Sequence, residues 1–167
     1  MRSLLLTGPP GAGKTATLTA LMGRLEADDV RYAAVEVEAL ALVHPWPDDD
    51  AALDHLGFVA DSFARRGYPL LLASATITDP DYLTRVRAAL PEGDLLFVCL
   101  MAPPEVLRAR LVAREPPDWV GLPGLLRASD ELAESMVSLP GLDLVLETAT
   151  QPVEHIVEAI HGRLVGR

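Results

Sequence analysis

Lysine is almost absent from this 167-residue sequence: one, Lys14, stands against thirteen arginines. Cysteine is reduced to Cys99, which excludes an internal disulfide framework. No apolar run approaches the roughly 18 residues that a membrane span needs. Met1-Arg2-Ser3 leads into a strand-like run without the layout of a signal peptide. Positive charge is scarce too, with a formal net charge of -10. Such a chain repels a nucleic-acid backbone or an anionic membrane at long range. The nearest thing to a basic cluster is Arg108, Arg110 and Arg114. Repeats, heptads and low-complexity segments are missing. These absences lead to the expectation of a cytoplasmic protein without nucleic-acid or membrane partners, while a small anionic ligand in a local basic pocket stays open; the expected assembly, a monomer or homodimer, does not follow from them.

Half of the residues are apolar and 23% are charged, the balance of a globular chain. Strand-length apolar runs alternate with segments of helical period, which predicts an α/β domain over 1–167 with a largely parallel, buried sheet. Strands are expected at Ser3–Thr7, at Tyr32–Val37 and in "YPLLLASAT", "DLLFVCL" and "LDLVLET". The helices between them bury Leu18, Leu21, Met22 and Leu25, then Leu53, Leu56, Ala60 and Phe63, then Leu83, Val86 and Leu90. Asp79 caps the third helix, with Pro80 at its first position. "PPEVLRARLVARE" forms a fourth helix, a fifth buries Leu125, Leu132 and Met136, and Val153 to Leu164 form a sixth.

The lone lysine stands in Gly8-Pro9-Pro10-Gly11-Ala12-Gly13-Lys14-Thr15, which matches G-x-x-x-x-G-K-[ST] without a mismatch. An apolar strand precedes it and an amphipathic helix follows, the context this motif requires. Its glycines let the backbone turn its N–H groups into one concavity at a helix N-terminus, which favours an anion. The lysine ammonium reaches the β- and γ-phosphates of a nucleotide as a point charge, and the threonine hydroxyl suits Mg²⁺. The nucleotide site is therefore expected to comprise Gly8 to Ala16, through Pro9, Pro10, Gly11, Ala12, Gly13, Lys14 and Thr15.

At the end of the second strand, "AAVEVEAL" carries Glu36 and Glu38. Strand alternation would place both on one face, at the carboxyl edge where open α/β sheets bind ligands. One carboxylate is suited to support a metal and the other to accept a proton from an attacking hydroxyl; solvated glutamates on an edge strand are the alternative. Arg110 and Arg114 are four apart and share a helix face, just before the Pro-broken stretch "EPPDWVGLPG".

Loop, E-x-E, arginine-bearing helix and short final strand together resemble the small P-loop kinases, the group of shikimate, gluconate and adenylylsulfate kinases and chloramphenicol phosphotransferase. The resemblance implies a three-layer fold with five parallel strands in the order 2-3-1-4-5, and a lid-like segment at about 108–124. It also implies ATP and Mg²⁺ as cofactors and a small-molecule hydroxyl as acceptor. By position, Glu36 joins Thr15 on the metal side and Glu38 becomes the base. Arg110 would lie against adenine and Arg114 nearer the phosphates, so that Lys14, Glu38 and Arg114 form the catalytic set. Thr148, after the final strand, would lie where this group wraps the adenine.

The sequence departs from that group at the third strand, "LLLASAT", which lacks the usual metal-supporting aspartate and leaves Ser74 or Thr76 in its place. The glycines that bind shikimate are missing, which disfavours that acceptor, and the absence of N-K-x-D opposes a Ras-type GTPase. A regulatory protein that binds ATP with slow or no hydrolysis is the alternative function. The loop His44-Pro45-Trp46-Pro47 is a candidate for lining an acceptor pocket or for anchoring by a buried Trp, and Trp119 for closing over a ligand or packing the lid. His55, His155 and His161 have no metal-ligand spacing, and Cys99 reads as a small buried hydrophobe.

Overall fold

A computed structural model describes residues 1–44 and 51–166. The expectations for Pro45, Trp46, Pro47 and the acidic run 48–50 lie outside the described residues. Five strands form one parallel sheet: β1 (Arg2–Thr7), β2 (Ala33–Glu36), β3 (Leu70–Ser74), β4 (Leu95–Met101) and β5 (Leu144–Glu147). Their order is β2-β3-β1-β4-β5, as the resemblance implied. The helices are α1 (Lys14–Ala27), α2 (Ala51–Arg65), α3 (Pro80–Ala89), α4 (Pro104–Arg114), α5 (Leu122–Ser135) and α6 (Val153–Val165).

Period-2 alternation along the central strand builds two cores, one on each face of the sheet. Leu4 and Leu6 point to the face covered by α1 and α6, where Leu21, Leu25, Ile156 and Ile160 pack. Leu5 points to the opposite face, where Leu56 and Ala60 of α2 and Leu83 and Val86 of α3 meet Phe97 and Cys99. Asp79 caps α3 as expected, its Oδ1 accepting the Tyr82 N–H at 2.8 Å. Gly67 follows α2 with φ 74°, a left-handed turn that suits glycine after a helix.

Two expectations are corrected. The second strand ends at Glu36 rather than Val37, and Val37–Ala41 form a 3₁₀ turn. The ladder with β3 ends at the Glu36–Ser74 pair, so beyond it the chain has no sheet partner and recovers its backbone hydrogen bonds locally. Glu36 and Glu38 thus do not share a strand face. The second correction concerns Leu125, which is half-buried in a cavity wall rather than in the core. Leu132 packs against the α2–α3 core with Met136, which stands in a short 3₁₀ turn, Met136–Ser138, after α5.

Candidate functional site

The loop between β1 and α1 is set by three left-handed or near-left-handed glycines: Gly8 (φ 155°), Gly11 (φ 86°) and Gly13 (φ 95°). Gly8 and Gly11 also allow close approach. A Cβ at Gly8 would meet the Leu100 carbonyl oxygen at 2.5 Å, and one at Gly11 the Leu107 carbonyl oxygen at 2.9 Å. The loop is therefore seated directly on the backbones of β4 and α4.

Lys14 Nζ folds back over the loop and donates to the Gly8 carbonyl at 2.7 Å. Burial holds its pKa below the ordinary lysine value; the nearby Glu38 carboxylate works against that shift, and Arg114 adds to it. Beside it, Thr15 Oγ1 donates to Glu36 Oε1 at 2.7 Å. Glu38, on the 3₁₀ turn, accepts the Thr76 N–H at 2.5 Å through Oε1. That contact brings Glu38 back to the sheet edge although it has left the strand.

These groups line one cavity of about 690 Å³ at the carboxyl ends of the strands. Lys14, Thr15, Glu36, Glu38 and Arg114 all face it, as do Arg110, Ser74 and Thr76. Pro10, Gly11, Gly13 and Ala16 supply its floor, whereas Gly8, Pro9 and Ala12 stay outside it. The Pro9 carbonyl accepts the Ala12 N–H at 3.1 Å, and Ala12 is fully buried. Leu125 of α5 adds an apolar wall that periodicity assigned to the core.

Arg110 and Thr148 meet each other. Arg110 donates to Thr148 Oγ1 at 3.0 Å, to the Thr148 carbonyl at 2.7 Å and to the Gly11 carbonyl at 3.1 Å. Thr148 Oγ1 in turn lies 3.0 Å from the Ala12 carbonyl and 3.2 Å from the Met101 carbonyl, which share its one hydrogen. Both side chains and the Gly11, Ala12 and Thr148 carbonyls are thus committed to a clasp between α4, the phosphate-loop backbone and the β5–α6 turn. A second cavity of about 390 Å³, with Gln151 and Val153 on its far side, opens behind this clasp. Glu147 shapes the turn by accepting the N–H groups of Ala149 and Thr150 and the Thr150 hydroxyl, hydrogen bonds that lower its pKa. Arg114 pairs with its neighbour Glu115, with Nε 2.7 Å from Oε1. Arg108 points away to Asp130 on α5, 3.3 Å distant.

Sequence reading missed Ser129. It is fully buried, and its Oγ donates to the Pro10 carbonyl at 2.9 Å. Its signal was a polar residue on the apolar stripe Leu125-Ser129-Leu132-Met136. The residues set aside stay apart from the cavity. Cys99 is buried, which pushes its thiol up to about 11. His55 Nδ1 is 2.7 Å from the Leu40 carbonyl, and His161 Nε2 is 2.9 Å from Asp28. Trp119 packs over Gly121 in the α4–α5 connection, half-exposed.

The sheet order and the strand–loop–helix with its glycine cradle define a P-loop NTPase fold. A family model described as an AAA domain matches residues 4–123. The chain belongs to that family. No curated protein matches it. Among solved structures it is similar to a sugar kinase from Janibacter sp. HTCC2649, with TM-score 0.70 and 23% identity over 98% of this chain and 94% of that one. A gluconokinase from Sinorhizobium meliloti 1021 matches with TM-score 0.63 and 24% identity over 97% and 92%. The Mycobacterium tuberculosis APS kinase, in complex with AMPPNP and APS, matches with TM-score 0.67 and 14% identity over 98% and 96%. At these identities the likeness is one of fold.

Proposed function

We propose that the protein is a small-molecule kinase that transfers the γ-phosphoryl group of ATP to a hydroxyl of its acceptor. The observation that carries this reading is the convergence of Lys14, Thr15, Glu36, Glu38 and Arg114 on one cavity beside a glycine cradle. A nucleotide-binding switch needs the cradle and the lysine. It has no use for a second carboxylate held at the phosphate end by a backbone N–H.

The roles follow from position. The loop amides and Lys14 hold the phosphates, the ammonium exchanging its bond to Gly8 for phosphate oxygens. Among the described residues no group of three or more His, Cys, Asp or Glu side chains is arranged to hold a metal. Mg²⁺ is bound by few protein oxygens together with substrate phosphates. Thr15 Oγ1 and Glu36 supply hard oxygen donors of that kind. Bound there, Mg²⁺ would neutralise charge on the phosphate chain. Glu38 orients the acceptor hydroxyl and takes its proton, and Arg114 leaves Glu115 to stabilise the charge of the transferring group. Within the expected lid of 108–124, the connection that follows α4 acts as the moving part, because Arg110 and the buried Leu111 hold α4 itself in place, with Leu125 as an apolar surface beneath it. The cavity behind the Arg110–Thr148 clasp is of a size and place to take the adenine. The structures of the sugar kinase, the gluconokinase and the APS kinase with AMPPNP support a phosphoryl donor of this class.

A regulatory ATP-binding protein is the second reading, favoured by the end of β3 at Ser74 without an acid. Glu36 weakens it, because it stands in register with Ser74 and bonds the Thr15 hydroxyl. The experiment is ³¹P NMR of the protein with Mg-ATP and a pooled panel of hydroxyl-bearing sugars, metabolites and antibiotics. A new phosphomonoester resonance growing with ADP is the expected result. Bound but intact ATP across a broad panel would move the assignment to the regulatory reading.

A further inference from the structure

Ser129 is fully buried and sits in the middle of α5, where a serine hydroxyl ordinarily bonds the carbonyl one turn back in its own helix. It reaches instead to the Pro10 carbonyl, 119 residues away in sequence, at 2.9 Å. Thr148 makes the corresponding contact two residues further along the loop, at the Ala12 carbonyl. A trans peptide is planar, and its C=O and N–H point in opposite directions. Holding the Pro10 carbonyl from outside therefore aims the Gly11 N–H the other way, and holding the Ala12 carbonyl does the same for the Gly13 N–H. Gly11 and Gly13 are the residues of the loop's glycine-rich half that line the cavity, while Ala12, between them, is outside it with its N–H turned to Pro9.

We propose that Ser129 is a positioning residue: with Thr148 it braces alternate peptide planes of the loop from behind, so that the Gly11 and Gly13 N–H groups are presented to a phosphate chain. Glycine makes the brace necessary. Gly11 and Gly13 have the widest choice of backbone conformations, and an unbraced loop would spread its amide dipoles over several orientations. Fixed dipoles aimed at an anion need no reorganisation when it arrives. The same helix contributes Leu125 to the cavity wall one turn earlier, so α5 supports the loop from behind and bounds the ligand from the front. This inference rests on the reading of the site as a phosphate cradle.

The test uses Ser129→Ala in the full chain, with Thr148→Val as the matched removal of the second hydroxyl. Two measurements are made on each: hydrogen exchange of the Ala12 amide by NMR without ligand, and titration with inorganic tripolyphosphate and with adenosine. The expected result for both is faster Ala12 exchange and about tenfold weaker tripolyphosphate binding, with adenosine binding unchanged in Ser129→Ala, whose hydroxyl lies outside the adenine cavity. A residue that only packs would weaken both ligands together or neither. Unchanged Ala12 exchange with tripolyphosphate affinity within about twofold of the parent would overturn the proposal. If the parent itself fails to bind tripolyphosphate or ATP, the cradle reading falls, and the presentation of amides to phosphate falls with it. Ala12 exchange would then report only whether the brace holds the loop.

Discussion

Glu36 on β2 stands in register with Ser74 on β3, and its carboxylate takes the hydroxyl of Thr15 from the phosphate loop. An acid one strand over thus occupies the place beside the loop threonine that an acid on β3 would otherwise serve. The relationship makes a direct prediction. Glu36→Gln should lower phosphoryl transfer between about tenfold and a hundredfold and raise the Mg²⁺ concentration for half-maximal rate, while nucleotide binding without metal is retained. Adding Ser74→Asp in the same chain should return part of the loss, because the two positions are neighbours across the ladder. Steady-state rates over a Mg²⁺ titration check both; a double variant no better than the single would place the metal elsewhere.

Glu38 is the second carboxylate, held by the Thr76 N–H through Oε1. Glutamine keeps a carbonyl oxygen for that bond and loses the ability to accept a proton. Glu38→Gln should therefore reduce kcat on the order of a hundredfold or more with ATP affinity near that of the parent. Retained turnover would assign the proton to another acceptor.

Gly11 and Gly13 both have left-handed φ, yet their surroundings differ. A Cβ at Gly13 meets nothing within 4 Å, whereas at Gly11 it strikes the Leu107 backbone. Gly13→Ala should cost only the conformational term, about 1 kcal/mol. Gly11→Ala adds a clash with backbone that cannot rotate away and should cost about 2–3 kcal/mol. Denaturant melts of the ligand-free variants measure the difference. Equal costs would mean that α4 gives way around the loop.

The strands and the phosphate loop were legible because their causes are local, whereas the sheet order came only from the resemblance to the small P-loop kinases. Eight contiguous residues carry the cradle, and apolar runs punctuated by Gly and Pro carry the strands. The Glu36–Glu38 geometry was legible only by half. Alternation continues through "VEVEAL", but a strand ends where its neighbour ends, and the length of β3 is a tertiary fact. Leu125 matched the helical period and still faced a cavity, since period identifies a face and not what lies against it. Arg110 and Thr148 were identified as site residues, but their mutual clasp spans 38 positions, a pairing that spacing along one chain does not reveal.

Lys14 gives the last prediction. Its pKa is lowered chiefly by burial, so the native state binds its proton less tightly than the unfolded chain, where lysine titrates near 10.5. As pH rises through the lowered native value, the folded protein releases this proton first. Between that value and 10.5 the unfolded state holds more protons, and the contribution of Lys14 to stability increases with pH. Phosphate binding moves the opposite way, because it needs the ammonium. Nucleotide affinity should decline at a pH below that of an ordinary lysine, over the same interval in which the ligand-free protein gains stability from this group. Lys14→Met should remove both dependences, leaving a flatter stability profile and no nucleotide-induced rise in Tm. Titration of ATP at a series of alkaline pH values, beside thermal melts of both proteins without ligand, checks the pair of slopes. Parallel slopes in the parent would show that another group governs the alkaline limb.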